Sequence, residues 1–208
     1  YSDKHISVQQ FSDKLNPFGT YLNDSSGEKL WVGCPLVVHR RCINPMFDIS
    51  NRISYDGVMI QQTKEPDQNT VDTFAIPISK WLQCSGKEKN HLRKDHYVPE
   101  QGKETLHIIK LAFEKAKGDK PDLYVISPFT SVVEGLKKEI RESDFYKLNK
   151  EYYNEWMESN IGTVHTFQGK EANEVVLLLG CDQDAKGAVT WVNANIINVA
   201  VTRAKYRL

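Results

Sequence analysis

Val175-Val-Leu-Leu-Leu-Gly180 is apolar at every position up to its closing glycine. A strand with one wet face alternates, so an unbroken run belongs to a strand covered on both faces, as in a parallel sheet between helices. Working outward, Asp122-Leu-Tyr-Val-Ile-Ser127, closed by Pro128, and Ile161 to Phe167 read as two further strands. Helical spacing recurs around them. Leu106, Ile109, Phe113 and Ala116 follow Pro99 and end at Gly118, and Val132, Val133, Leu136 and Ile140 mark the next helix. Asn193 to Lys205 is expected to close the chain as a helix. Strands alternating with helices predict an α/β fold with a doubly wound, mainly parallel sheet and helices on both faces.

The flanks are less regular. Residues 1–30 are polar, with Asn16-Pro17 and Asp24-Ser25-Ser26-Gly27 as turn signals, and read as a connecting segment. Pro45 to Ser54 suits a short helix and Tyr55-Asp56-Gly57 a turn. Residues 61–73 read as a surface loop, Phe74 to Cys84 as a strand or two, and Lys87 to His96 as a charged loop. Residues 143–159 are charged and aromatic and are expected to be helical and partly exposed. The sequence opens at Tyr1 without a methionine and stops at Leu208 just after a helical pattern, where a strand would ordinarily follow. An excised domain is the expectation.

With 208 residues, 40% hydrophobic and 26% charged, the chain suits one α/β domain with a full core. Lys+Arg and Asp+Glu number 27 each, which argues against a histone-like or purely electrostatic nucleic-acid binder but leaves room for a local groove. The four cysteines, Cys34, Cys42, Cys84 and Cys181, form no CxxC pair, so reduced thiols are expected rather than a zinc site or disulfide framework. No apolar run approaches the ~20 residues that span a bilayer. No signal-peptide pattern opens the sequence, and a cytoplasmic protein without a membrane partner is expected.

Three stretches carry chemistry. In Gly162-Thr-Val-His-Thr-Phe-Gln-Gly-Lys-Glu171, a strand runs into a turn. There Gly169 permits close backbone approach, Lys170 offers a cation, and Glu171 can accept from a ribose hydroxyl or order a neighbouring cation. Taken alone, Gln168-Gly-Lys-Glu171 reads as an ordinary turn with solvated charges. In Asn198-Val-Ala-Val-Thr-Arg-Ala-Lys205, an apolar helix is expected to present Thr202, Arg203 and Lys205 at an exposed end. An arginine on a packed element offers a planar, permanently charged fork that matches phosphate oxygens. Val37-Val-His-Arg-Arg-Cys-Ile-Asn-Pro-Met-Phe47 sets two arginines side by side, which must point in different directions.

In this order the three resemble the later motifs of superfamily 1 helicases, in the branch typified by the nonsense-mediated-decay helicase. Arg41-Cys42 before Pro45, with the Tyr55-Asp56-Gly57 turn, resembles the segment that opens the second RecA-like domain. Ile126-Ser-Pro-Phe129 resembles the Thr/Ser-Pro-Tyr/Phe strand end. Thr163 through Glu171 and Asn198 through Lys205 match the last two motifs almost completely. The resemblance runs from about Leu36 to Leu208, although residues 61–100 align with no family motif. Arg40 stands where many relatives carry an aromatic that packs on adenine, a role its planar face can also fill.

The resemblance implies a connecting segment over residues 1–35 and, over 36–208, a second RecA-like helicase domain truncated at its C-terminal end. It implies a DNA or RNA helicase or translocase driven by ATP and Mg²⁺. Both would be bound mainly by a preceding N-terminal motor domain of the same polypeptide, since no GxxxxGK[ST] loop occurs here. Arg41 and Arg203 would be the arginine fingers, with Arg40, Gly169, Lys170 and Glu171 lining the nucleotide cleft. Ser127, Thr130, Thr163 and His165 would touch single-stranded DNA or RNA. The absent phosphate loop weighs against a nucleotide kinase. Retained arginines at both finger positions weigh against an inert helicase-like module that only binds protein.

Overall fold

A computed structural model describes residues 8–23, 27–33, 37–89, 95–185, 188 and 190–208. Helix α1 (Val8–Leu15) leads into an antiparallel hairpin of β1 (Gly19–Asn23) and β2 (Lys29–Gly33). Within the segment expected to be connecting, the described residues thus carry a helix and a hairpin. Strand β3 (Val38–His39) pairs in parallel with β4 (Ile60–Gln61) across α2 (Met46–Ser54). Asp56 and Gly57 both take positive φ, which makes the expected turn after α2. Within 61–73, expected to be a loop, lies the short α3 (Gln68–Asp72), capped by Asp67, whose side chain accepts from Thr70 N–H.

The rest builds the main body. Helix α4 (Pro99–Lys115) begins with proline in its first turn, where no N–H partner is needed. Then follow β5 (Leu123–Ser127), α5 (Thr130–Glu142), α6 (Asp144–Leu148), α7 (Lys150–Asn160), β6 (Ile161–Thr163), β7 (Ala172–Leu177), α8 (Ala194–Val201) and β8 (Ala204–Arg207). Ser143, Asn149 and Asn193 cap α6, α7 and α8 through side-chain oxygens. Lys137 and Arg141 of α5 both reach Glu158 of α7, tying those helices together.

Four parallel strands lie in the order β6-β5-β7-β8. Successive side chains of a strand point to opposite faces, and β5 shows the consequence. Leu123 and Val125 join one core with Ile109 of α4, Leu136 of α5 and Met157 of α7. Ile126 joins the other, with Met46 and Phe47 of α2 and Ala200 and Val201 of α8. The sheet is thus mainly parallel and covered on both faces, which is why the run that begins at Val175 in β7 is unbrokenly apolar. The strand itself starts earlier, at Ala172, and includes Asn173 and the buried Glu174.

Three expectations need correction. The closing helix stops at Val201, and Ala204–Arg207 is a strand whose residues alternate between buried and half-buried. Residues 74–84 form no strand: Ala75 and Ile76 donate their N–H groups to the buried Glu174 carboxylate and hold the segment as a loop. The strand expected over 161–167 ends at Thr163 and gives way to turns. No helix among the described residues is long and apolar enough to cross a membrane. Cys42 and Cys181 are buried thiols and Cys84 is half-buried, while Cys34 and Leu36 lie outside the described residues.

Candidate nucleotide and nucleic-acid site

Backbone pairing draws the three motif stretches to one place. Ile43 N–H donates to the Lys205 carbonyl at 3.0 Å, and Ala172 N–H to the Arg203 carbonyl at 3.0 Å. Ser50 of α2 donates to the Asn198 side chain of α8 at 2.6 Å. The segment carrying Arg41 is thereby fixed against the helix-to-strand joint carrying Arg203, with Glu171 entering β7 beside them. Cys42, fully buried between the arginines, anchors the first stretch.

Arg203 is not at an exposed helix end. It is 4% exposed and lies between α8 and β8. Its Nε donates to the Val199 carbonyl, and its Nη1 donates to the carbonyls of Phe167 and Lys170 at 3.2 and 2.8 Å. Nη2 makes one long contact, 3.5 Å to Thr202 Oγ1, so an N–H there stays open among the described residues. Burial, and then the Arg41 charge, disfavour its charged form, while Glu171 favours it. Burial pushes the Cys42 thiol up to about 12, with the arginine charges pulling down and Glu171 pushing up. Two guanidinium groups and one carboxylate thus lie near enough to the Cys42 thiol and to one another for the charges of Arg41 and Glu171 to act on Cys42 and Arg203. The cluster carries one excess positive charge and suits an anion that would relieve the repulsion between the arginines.

His39 completes the support. Its Nε2 accepts from Cys42 N–H at 3.2 Å and lies 3.0 Å from Cys42 Sγ, so the ring proton sits on Nδ1. Burial, then the Arg41 charge, lower its pKa.

The adjacent arginines diverge, as two neighbours must. Arg40 instead lines a polar cleft of about 670 Å³ with Gln62, Thr63, Asp67, Lys205 and Tyr206. The larger hollow, about 1490 Å³, is lined mostly by apolar residues such as Trp81, Leu82, Leu111 and Leu179 and includes none of the site residues named from sequence.

The predicted site residues divide between two rims. Parallel registers pair Ser127 with Thr163 at the carboxyl ends of β5 and β6, and Ala172 with Ala204 at the amino ends of β7 and β8. Gly169, Lys170, Glu171 and Arg203 therefore belong to the amino rim, not to the carboxyl rim where ligand loops of such sheets ordinarily lie. Strands of this length separate the rims by roughly 15 Å. Residues 164–171 bridge them across β5. Gly169 takes φ +88° in this bridge, and the Phe167 ring, 1% exposed, packs 4.5 Å from Tyr124.

At the carboxyl rim, Ser127 is buried, with its Oγ accepting from Phe129 N–H at 3.2 Å. Thr130 is exposed at the first turn of α5, and Thr163 Oγ1 lies 3.0 Å from Thr166 Oγ1. His165 is exposed and 6.4 Å from the Trp191 ring, which is itself 6.0 Å from Phe129. Trp191 and Phe129 were not legible as site residues, because nothing local marks aromatics from different loops as neighbours. As possible metal donors, Glu88, His96 and Cys181 lie within 4.8 Å of one another. His96 Nδ1 already pairs with Glu88 at 2.9 Å, and burial, then Glu88 and Asp182, push the Cys181 thiol up to about 11. That set reads as a satisfied pair beside a protonated thiol.

The comparisons agree with the motifs. The family model described as the AAA domain matches residues 31–208. Regulator of nonsense transcripts 1 from Dictyostelium discoideum is 21% identical over 177 residues, which cover 83% of this chain and 13% of that relative. The chain spans only that small part of the curated relative it matches. A match over nearly the whole chain, with its motif stretches gathered around one charged cluster, places it plainly: the chain belongs to the AAA domain family, as a domain like that of the nonsense-mediated-decay helicase in superfamily 1.

Proposed function

We propose that this chain is the second motor domain, RecA-like and doubly wound, of an ATP-dependent helicase or translocase acting on single-stranded DNA or RNA. Arg41 and Arg203 serve as arginine fingers, with Glu171 as the ribose contact, Lys170 and Gly169 lining the cleft, and Arg40 toward the base. The single observation that carries the reading is the backbone pairing of Ile43 with Lys205 and of Ala172 with Arg203, which brings the stretches of Arg41, Arg203 and Glu171 to one rim from far apart in sequence. ATP and Mg²⁺ would be held mainly by an N-terminal motor domain of the same polypeptide. The arginine pair with its single counter-charge fits the phosphate end of the nucleotide, where charge develops as the terminal phosphoryl group is transferred. Arg203 is held in position by three carbonyls before any ligand arrives, so little entropy remains to be lost. Ser127, Thr130, Thr163 and His165 belong to the opposite rim, where hydroxyl and imidazole groups position a backbone without reading sequence.

Arg41→Ala in the full-length protein is the sharpest test, because Arg41 is exposed and its loss leaves the core intact. Turnover of ATP is expected to fall on the order of 10³-fold, with nucleotide affinity nearly unchanged. The isolated chain is expected to show no ATPase, with or without single strands. Near-wild-type turnover of the Arg41→Ala protein, or stimulated hydrolysis by the isolated chain, overturns the assignment. A full-length wild-type protein that shows no ATP turnover, with or without single strands, would favour the inert, protein-binding alternative.

A further inference from the structure

The carboxyl rim carries a row of rings that the polar residues named above do not explain. His96 lies 4.7 Å from Phe129, Phe129 lies 6.0 Å from Trp191 at an interplanar angle of 37°, and Trp191 lies 6.4 Å from His165. Phe129 follows β5, His165 follows β6 and Trp191 follows β7, so three separate strand-end loops converge. Trp191 is 50% exposed, although indole is the side chain with most to gain from burial. Its backbone is nevertheless fixed: its N–H donates to Ala188 O at 3.1 Å and its carbonyl accepts from Asn193 N–H at 3.0 Å. A held backbone with a half-open indole, backed on one side by Phe129 and flanked by an exposed imidazole, is a platform for a flat partner.

We propose that Trp191 is a base-stacking site: an unpaired nucleobase lies on its open face, with Phe129 behind it and His165 at its edge. The inference rests on the reading of the chain as a single-strand motor domain and adds a base contact to what had been a backbone track. Every base has a π-face, so the contact gives grip without sequence preference. It suits a chain with balanced charge, in which phosphate attraction alone supplies little. An indole also matches a nucleobase in area better than an aliphatic peptide side chain does.

The test measures anisotropy of fluorescein-labelled oligothymidylate and oligouridylate, roughly a dozen nucleotides long, with the full-length protein. Trp191→Ala is expected to weaken binding about tenfold or more, and Trp191→Phe to retain most of the affinity. An oligomer with abasic sites in place of its bases should lose a similar factor on the wild-type protein, an arm that needs no mutation and is immune to misfolding. On Trp191→Ala that extra loss should shrink. Equal affinity of the wild-type and Trp191→Ala proteins, or of the abasic and ordinary oligomers, overturns the proposal and leaves the ring as a contact for protein. Wild-type protein that binds no single strand at all overturns the motor-domain reading as well, which separates the two failures.

Discussion

Glu174 makes the most quantitative prediction. It lies in the middle of the sheet at 3% exposure, its two carboxylate oxygens accepting from Ile76 N–H at 2.7 Å and Ala75 N–H at 3.0 Å. Burial raises its pKa from the usual 4.5 to about 7, against the lowering effect of the two backbone bonds and Arg207, while Asp122 adds to the rise. The folded protein thus holds this proton more tightly than the unfolded chain. Stability from this source is fully present below pH 4.5 and is lost as the pH rises through 7. At about 1.4 kcal/mol per pH unit, the whole window is worth about 3 kcal/mol.

Glu174→Gln removes the titration and keeps the volume; its NH2 cannot accept from one of the two backbone N–H groups, a cost that does not vary with pH. Urea unfolding of both proteins at intervals from pH 4.5 to 8 isolates the effect, because every other titrating group, His39 included, is common to both and cancels. The wild type should lose about 3 kcal/mol relative to the variant across that range, most steeply between pH 5 and 6.5. Parallel stability profiles would refute the reasoning. They would mean that water reaches the carboxylate or that the 75–76 loop releases it.

Arg203→Ala should lower stability by about 3 kcal/mol, because three carbonyls lose a charged donor, whereas Arg41→Ala should stay within about 0.5 kcal/mol; chemical denaturation distinguishes them. Gly169→Ala meets no atom within 4 Å but must adopt φ +88°, so it should cost about 1 kcal/mol. Gly180→Ala adds to a similar φ a Cβ only 2.4 Å from Val132 Cγ2 and 2.6 Å from His96 O, and should cost about 3 kcal/mol in the same assay. Among the described cysteines, alkylation with iodoacetamide at mild alkaline pH should reach half-buried Cys84 first, with Cys42 and Cys181 modified only on unfolding; mass spectrometry of the peptides reads the order.

How much was legible follows from where the causes lie. The strand around Val175 could be read because its apolar run is local, and α4 and α5 because their stripes are. The β8 strand was missed because Ala204-Lys-Tyr-Arg207 follows α8 with only two residues between, and a four-residue alternation is too short to outweigh a helical run. The loop over 74–84 was misread because what forbids a strand there is Glu174, nearly a hundred residues away. Arg203 was placed on the surface by its type, yet carbonyls of the 167–170 turn make burial tolerable. Its company with Arg41 depends on the Ile43–Lys205 and Ala172–Arg203 pairings. No pattern within either stretch reports those, and only the family resemblance grouped the two.

The segment 164–171 then acquires a meaning that its motif alone does not convey. Local reasoning treats it as a strand ending in a ligand loop, which would put His165 and Glu171 on one rim. Instead it spans the sheet, and its fixings are distributed along its length. Val164 N–H donates to Ser127 O at the carboxyl rim, Phe167 is packed on Tyr124 in mid-course, and the Phe167 and Lys170 carbonyls are held by Arg203 at the amino rim. A segment pinned at both ends and plugged in the middle transmits a displacement instead of absorbing it, since close-packed interiors deform little. On the proposed reading, the guanidinium that meets phosphate is bonded to the same backbone that leads to the single-strand rim. A change in the Arg203 bonds would bear on Phe167, and through it on Val164 and Ser127. Coupling between nucleotide and track would then need no hinge inside this domain, only two positions of one strap, each favoured by a different ligand.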